Sequence, residues 1–241
     1  MKQAMVFAAG LGTRLKPLTD TMPKALVRVG GRPLLEHVVL KLKEAGFERI
    51  IVNVHHFAGQ IIDFLAANHN FDIDIRVSDE REQLLETGGA IKRARRLFDN
   101  GSPVLIHNVD ILSNADLSQV YAAANDADAL LLVSERQTTR YLLFDGEHPM
   151  PRLVGWKNIT TGEVRGQEGH PLAFSGIHVV SPSLFPLMDN YPDRFPVVSF
   201  YLDACTRYRL AGFRQDNLRL LDVGKLDTLD AANQFIVSLT S

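Results

Sequence analysis

Arg14 and Lys24 stand close behind a glycine-bearing loop, Gly10-Leu11-Gly12-Thr13, that leaves the apolar run Ala4 to Ala9. Glycines let backbone N–H groups approach an anion closely, and two cations add fixed countercharge, so the arrangement is suited to holding phosphates. Two later apolar runs end in aspartate: Leu105-Ile106-His107-Asn108-Val109-Asp110 and Leu220-Leu221-Asp222-Val223-Gly224. Asp110 at such a strand end is a candidate hard-oxygen ligand for Mg²⁺, and its alternative is to cap the helix expected near residue 116 or to order a turn. Period-two alternation puts Asn108 and Asp110 on one side of their strand, His107 and Val109 on the other. Leu85-Glu86-Thr87-Gly88-Gly89-Ala90 turns into a helix. Its glycines, Gly88 among them, would let a flat base approach the backbone. Glu86 or Thr87 could read base edges, and Thr87 is also placed to cap the helix.

Better-known motifs fail at these positions. A dinucleotide fingerprint would need a glycine where Leu15 stands, and Pro17 follows where a helix should start. A phosphate loop of the Walker type needs Gly-Lys followed by Ser or Thr, but Gly224-Lys225 runs into Leu226. Paired carboxylates also serve glycoside hydrolysis, which gives the Arg14–Lys24 loop no role. His55 and His56 lack a ligand-spaced partner and mark the end of a strand, and His107, His170 and His178 read as local hydrogen-bonding groups rather than zinc ligands.

The elements that position these groups alternate through the first half. Strands are expected at 3–8, 49–54, 73–77, 104–108 and 129–134. Helices are expected at 33–45, about 58–67, about 88–98 and 116–125. This alternation implies an α/β fold: a Rossmann-like, mostly parallel sheet sandwiched by helices. After about residue 135 short strands at 140–144, 152–156 and 173–180, separated by turns at 145–151 and 160–171, suggest a small antiparallel extension. A helix near 198–210, strands near 213–223 and a last helix at about 225–237 complete the chain. One domain over 1–241 is expected, with a nucleotide-binding part to about residue 135 and a substrate-side part beyond it.

Composition narrows the partners. Hydrophobic residues make up 46% and charged ones 22%, as in ordinary globular proteins. A net charge of −2 gives no broad positive field for nucleic acid or anionic membrane. No apolar run approaches the roughly 20 residues of a membrane span. Cys205 is the single cysteine; it implies a reducing compartment, hence a cytoplasmic location, and it reads as a buried structural thiol.

The stretches Gly10-Leu11-Gly12-Thr13-Arg14-Leu15-Lys16-Pro17-Leu18-Thr19, Pro23-Lys24-Ala25-Leu26-Val27 and Gly31-Arg32-Pro33-Leu34-Leu35 resemble the signature loop of the sugar-1-phosphate nucleotidylyltransferases. Later segments fit as well, so the resemblance runs from residue 2 to about residue 236. Within the family the chain most resembles the short bacterial uridylyltransferases of N-acetylmuramate 1-phosphate, then the mannose-1-phosphate guanylyltransferases. The resemblance implies Mg²⁺-dependent transfer of a nucleotidyl group from an NTP to a sugar 1-phosphate. It assigns Asp110 and Asp222 to the metal. It places Arg14 and Lys24 in catalysis and the backbone of Ala9, Gly10, Gly12 and Thr13 around the triphosphate. Glu86, Thr87 and Gly88 fall in its base loop. Asn108, Ser175 and Gly176 fall on the sugar side. The usual Glu-Lys-Pro of the sugar site is missing, and Lys157, beside Trp156, occupies about that place. Val109 and Lys225 stand where glycine and threonine are usual. Alternatives are mannose 1-phosphate with GTP, phosphocholine with CTP, or a non-catalytic sensor. The oligomeric state, monomer or small homo-oligomer, stays open.

Overall fold

The computed structural model describes residues 1–146 and 150–240. The chain opens on β1 (Gln3–Phe7), crosses three short 3₁₀ turns, and makes a small ribbon from β2 (Arg28–Val29) and β3 (Arg32–Pro33). There follow α1 (Leu34–Glu44), β4 (Arg49–Val54), α2 (Ala58–Ala67), β5 (Asp74–Asp79), α3 (Glu86–Ala94) and β6 (Val104–Asn108). Next come β7 (Ile111–Ser113), α4 (Leu117–Ala123) and β8 (Ala129–Ser134). The second half holds β9 (Arg140–Asp145), β10 (Arg152–Asn158), β11 (Val164–Gly166) and the long β12 (His170–Val180). It ends with α5 (Val197–Ala204), β13 (Leu210–Arg214), β14 (Leu220–Asp222) and α6 (Leu229–Thr240).

The main sheet has the order β11-β10-β13-β8-β12-β6-β1-β4-β5, with β9 joining β10 and β12. β1 pairs parallel with β4 and β6, and β4 pairs parallel with β5. β12 runs antiparallel to both β6 and β8, so β8 points the same way as β6, and β13 pairs parallel with β8. The carboxyl ends of β1, β4, β6 and β8 therefore share one edge, where ligands bind in open α/β sheets. The strand interiors are runs of Val, Ile and Leu because both faces are covered. α1, α2, α4 and α6 cover one face with Leu35, Val39, Ile61, Leu117 and Ala232 in its core. α3 and α5 cover the other with Ile91, Ala94, Val197 and Phe200.

Most of the expected elements are present, and the differences have local causes. α3 starts at Glu86 and loses α-helical pairing at Arg95, where a 3₁₀ turn takes over to Leu97. α5 stops at Ala204, and the chain turns before β13. Val164–Gly166, expected as turn, pairs antiparallel with β10 as the edge strand β11. Asp116 caps α4, accepting the Gln119 N–H at 2.9 Å. Cys205 is buried, as expected of a structural thiol. Among the described residues no helix is long and apolar enough to cross a membrane. The expected turn at 145–151 lies partly outside the described residues.

Gly88 and Gly89 seat α3 on the segment that leads into α5. Their amides both donate to the Phe195 carbonyl, at 2.9 and 3.2 Å. A Cβ on Gly89 would stand 2.0 Å from the Asp193 carbonyl oxygen, so backbone would have to move. Gly89→Ala should therefore destabilise the fold by about 1–3 kcal/mol, an overpacking cost, read as a lowered denaturation midpoint. An unchanged midpoint would contradict this packing.

Candidate active site

The cleft opens at the shared carboxyl edge and measures about 430 Å³. Ala8 to Arg14, Lys24, Asn53, Glu80, Glu86, Thr87, Asn108 to Asp110 and Gly224 line it. The loop after β1 reaches this place because of Gly12, whose φ of +64° suits glycine. A Cβ there would meet Thr19 Cγ2 at 2.9 Å and Lys24 Cβ at 3.0 Å. The Thr19 hydroxyl donates to the Gly12 carbonyl at 2.8 Å, which fastens the loop over the segment carrying Lys24.

Lys24 is only 8% exposed, and its ammonium is paired with the Asp110 carboxylate. The helix cap is supplied by Asp116 instead, and Asp110 stands as the partner of a buried cation. Asp222 is brought to the same spot by backbone pairing. β14 runs antiparallel to β7 with Asp222 opposite Ile111, and the Val223 N–H donates to the Asp110 carbonyl at 2.9 Å. Arg14 joins from the loop, because a Cβ on Gly224 would lie 3.1 Å from an Arg14 nitrogen and 2.8 Å from Asp222 Oδ1. Asp222 is exposed, yet partial desolvation by its neighbours raises its carboxyl above the usual range. The Asp110 charge adds to that rise, and Lys24, Arg14 and Arg136 oppose it. Asp110 and Asp222 thus stand as neighbouring carboxylates, a donor set that could hold a divalent cation. Among the described residues there is no cluster of three or more His, Cys, Asp or Glu side chains able to hold a metal alone. Two neighbouring carboxylates are a donor set that Mg²⁺ accepts, its other ligands being phosphate oxygens and water.

Asn53 and Glu80 line the floor and were not singled out from the sequence. The Asn53 side chain accepts the Ala8 N–H at 2.7 Å and donates to Glu80 Oε1 at 2.8 Å. Glu80 also accepts the Leu85 N–H at 3.4 Å. The pair thereby ties the loop after β1 to the segment that opens α3. Burial raises the Glu80 carboxyl above its ordinary range, and the two hydrogen bonds partly offset this. The available signal was a lone asparagine inside the apolar run Arg49–Val54.

Several expected site residues do other work. Gly88 does not line the cleft; it packs on Phe195, so its lack of a side chain serves helix seating rather than base stacking. Thr87 caps α5 instead of α3, accepting the Val197 N–H at 2.9 Å, while its edge still lines the cleft. Glu86 lines the cleft with φ of +61°, and its carboxylate accepts from Arg194 at 3.0 Å. Ser175 is buried and spends its hydroxyl on the Leu132 carbonyl at 2.6 Å. Gly176 sits in a register shift of β12 with φ of +76°, and a Cβ on it would stand 2.7 Å from the Asn108 amide nitrogen. Lys157 lies outside the cleft lining, its ammonium 5.8 Å from the centre of the Tyr141 ring. Trp156 is half-buried against the core. Val109 buries its side chain in the core of the α1 face, and Lys225 is exposed ahead of a 3₁₀ turn. His107 and His178 are buried and neutral, held down to about 4 and about 3 by desolvation, as expected of structural histidines.

The geometry can be set beside known proteins. The chain is 37% identical over 193 residues to the N-acetylmuramate alpha-1-phosphate uridylyltransferase of Caulobacter vibrioides, covering 76% of each chain. It is 33% identical to the enzyme of that name from Neisseria meningitidis serogroup B, covering 76% of this chain and 77% of the other. The crystal structure of HddC from Yersinia pseudotuberculosis shares the fold at a TM-score of 0.73 with 24% identity, covering 98% of this chain and all of that one. Residues 3–141, which carry the loop, Lys24 and Asp110, match the nucleotidyl transferase family. On that match, and on its identity with both uridylyltransferases, this chain belongs to the nucleotidyl transferase family.

Proposed function

We propose that the chain is a Mg²⁺-dependent sugar-1-phosphate nucleotidylyltransferase that joins an NTP and a sugar 1-phosphate into an NDP-sugar and pyrophosphate. UTP and N-acetylmuramate 1-phosphate are the favoured substrates, because two relatives above 30% identity carry that activity in their names. The observation that carries the reading is the meeting of Arg14, Lys24, Asp110 and Asp222 at the mouth of one cleft. The whole chain acts as one unit, and its lone buried thiol fits a cytoplasmic enzyme.

The chemistry asks little beyond alignment and countercharge. A phosphate monoester has a second pKa of about 6, so the sugar phosphate arrives as an oxyanion and needs no general base. It attacks the α-phosphorus in line, and pyrophosphate departs on the opposite side. Backbone from Ala9 to Thr13 cradles the triphosphate. Arg14 holds the leaving pyrophosphate and meets its growing charge. Lys24 turns from Asp110 to bridge the α-phosphate and the incoming oxygen. Asp110 and Asp222 would hold Mg²⁺, which would supply positive charge to the phosphate oxygens. Glu86 and Thr87 border the base end of the cleft, and Asn108, backed by Gly176, faces the acceptor.

The test is pyrophosphate release across the four NTPs and several sugar 1-phosphates, with and without Mg²⁺. UTP with N-acetylmuramate 1-phosphate should give the fastest rate, and EDTA should abolish it. A silent grid from folded protein that binds an NTP would favour the sensor. Lys24→Ala and Arg14→Ala should each cut turnover by about 10²–10³-fold, the usual loss for one charge-stabilising donor. Unaltered turnover in either variant would remove that residue from its role.

A further inference from the structure

In the proposed reaction Arg14 and Lys24, the cations of the cleft lining, serve the pyrophosphate and the bond-forming oxygens, so the acceptor's remaining negative charge has no cation of its own. Arg14 and Lys24 belong to the segments that enclose the triphosphate, and Lys157 points its charge at Tyr141. Arg136 is different. It follows the end of β8, which runs in the direction of β6, so its loop leaves from the same carboxyl edge as Ala8–Arg14 and Asn108–Asp110. Its Nη2 donates to the Phe174 carbonyl at 2.9 Å, on the strand whose Gly176 backs the Asn108 amide. The neighbouring Glu135 is taken by Arg214 at 2.7 Å, with His170 at 3.9 Å. Arg136 itself is exposed and makes no ion pair among the described residues.

An exposed guanidinium fixed through one N–H keeps its remaining donors free, in the planar fork that matches a carboxylate or phosphate. We propose that Arg136 is a specificity-determining residue that grips an anionic group of the acceptor at the sugar end of the cleft. The proposal rests on the reaction inferred above. Two groups on the acceptor share this chemistry: the 1-phosphate, and a carboxylate elsewhere on the sugar. N-acetylmuramate 1-phosphate carries both, whereas N-acetylglucosamine 1-phosphate carries the phosphate alone.

The experiment compares wild type, Arg136→Ala and Arg136→Lys with these two acceptors. Pyrophosphate release with Mg²⁺ and UTP gives KM for each substrate. Calorimetric titration of each acceptor without NTP gives Kd independently of turnover. Arg136→Ala should raise acceptor KM and Kd at least tenfold and leave the KM for UTP unchanged, with Arg136→Lys recovering part of the loss. Equal loss for both acceptors assigns the grip to the phosphate. Loss confined to the N-acetylmuramate compound assigns it to the carboxylate. Acceptor KM and Kd within twofold of wild type for both compounds would overturn the proposal, as would a wild type that binds neither. If wild type binds an acceptor and releases no pyrophosphate, the reaction assignment fails while the Kd comparison still decides Arg136.

Discussion

The ion pair between Lys24 and Asp110 organises the cleft. A buried cation needs a partner, since removing one member of a buried pair costs about 3–5 kcal/mol. Lys24 is nearly buried because the glycine loop folds over it, and Gly12 allows that approach by having no Cβ. Asp110 answers it from the end of β6, and the β7–β14 ladder carries Asp222 to the same place. Partial desolvation and the Asp110 charge raise the Asp222 carboxyl, with Lys24 and Arg14 opposing the rise. In the proposed reaction a triphosphate and a divalent cation relieve both constraints together: the anion takes Lys24, and the cation serves the two carboxylates.

The sheet makes this meeting possible at modest conformational cost. Residues far apart in the chain arrive together because parallel strands deliver their following loops to one edge. Reversal of β12 does not spoil that edge, because β8 resumes the direction of β6 on its far side. The antiparallel β9, β10 and β11 then extend the sheet beyond β12 and β13 without entering the cleft lining. Asn53 and Glu80 supply stiffness from below, linking two loops that strand pairing alone would leave independent.

How much of this was legible in the sequence depended on range. The glycine loop with Arg14 and Lys24, and both aspartates at strand ends, are local patterns whose chemistry can be read residue by residue. The strands Val104–Asn108 and Ala129–Ser134 were readable to the residue, because their apolar runs are bounded by polar or turn-forming neighbours. What escaped depended on partners distant in the chain. Nothing near Gly88 announces that Phe195 will pack against it, and nothing near Thr87 announces an uncapped α5. Ser175 looked free for a sugar only until the Leu132 carbonyl was placed beside it. The edge strand β11 was hidden because its exposed Val-Arg-Gly carries no alternation.

In the proposed reaction the acceptor oxyanion attacks the α-phosphorus directly, with the protein supplying position and countercharge and no covalent intermediate. One measurement addresses it most directly: the stereochemical course at that phosphorus, followed with a single diastereomer of an α-thio NTP. A single in-line displacement predicts inversion of configuration in the NDP-sugar. Retention would require two successive displacements, and with them a nucleophile on the protein that this account does not contain.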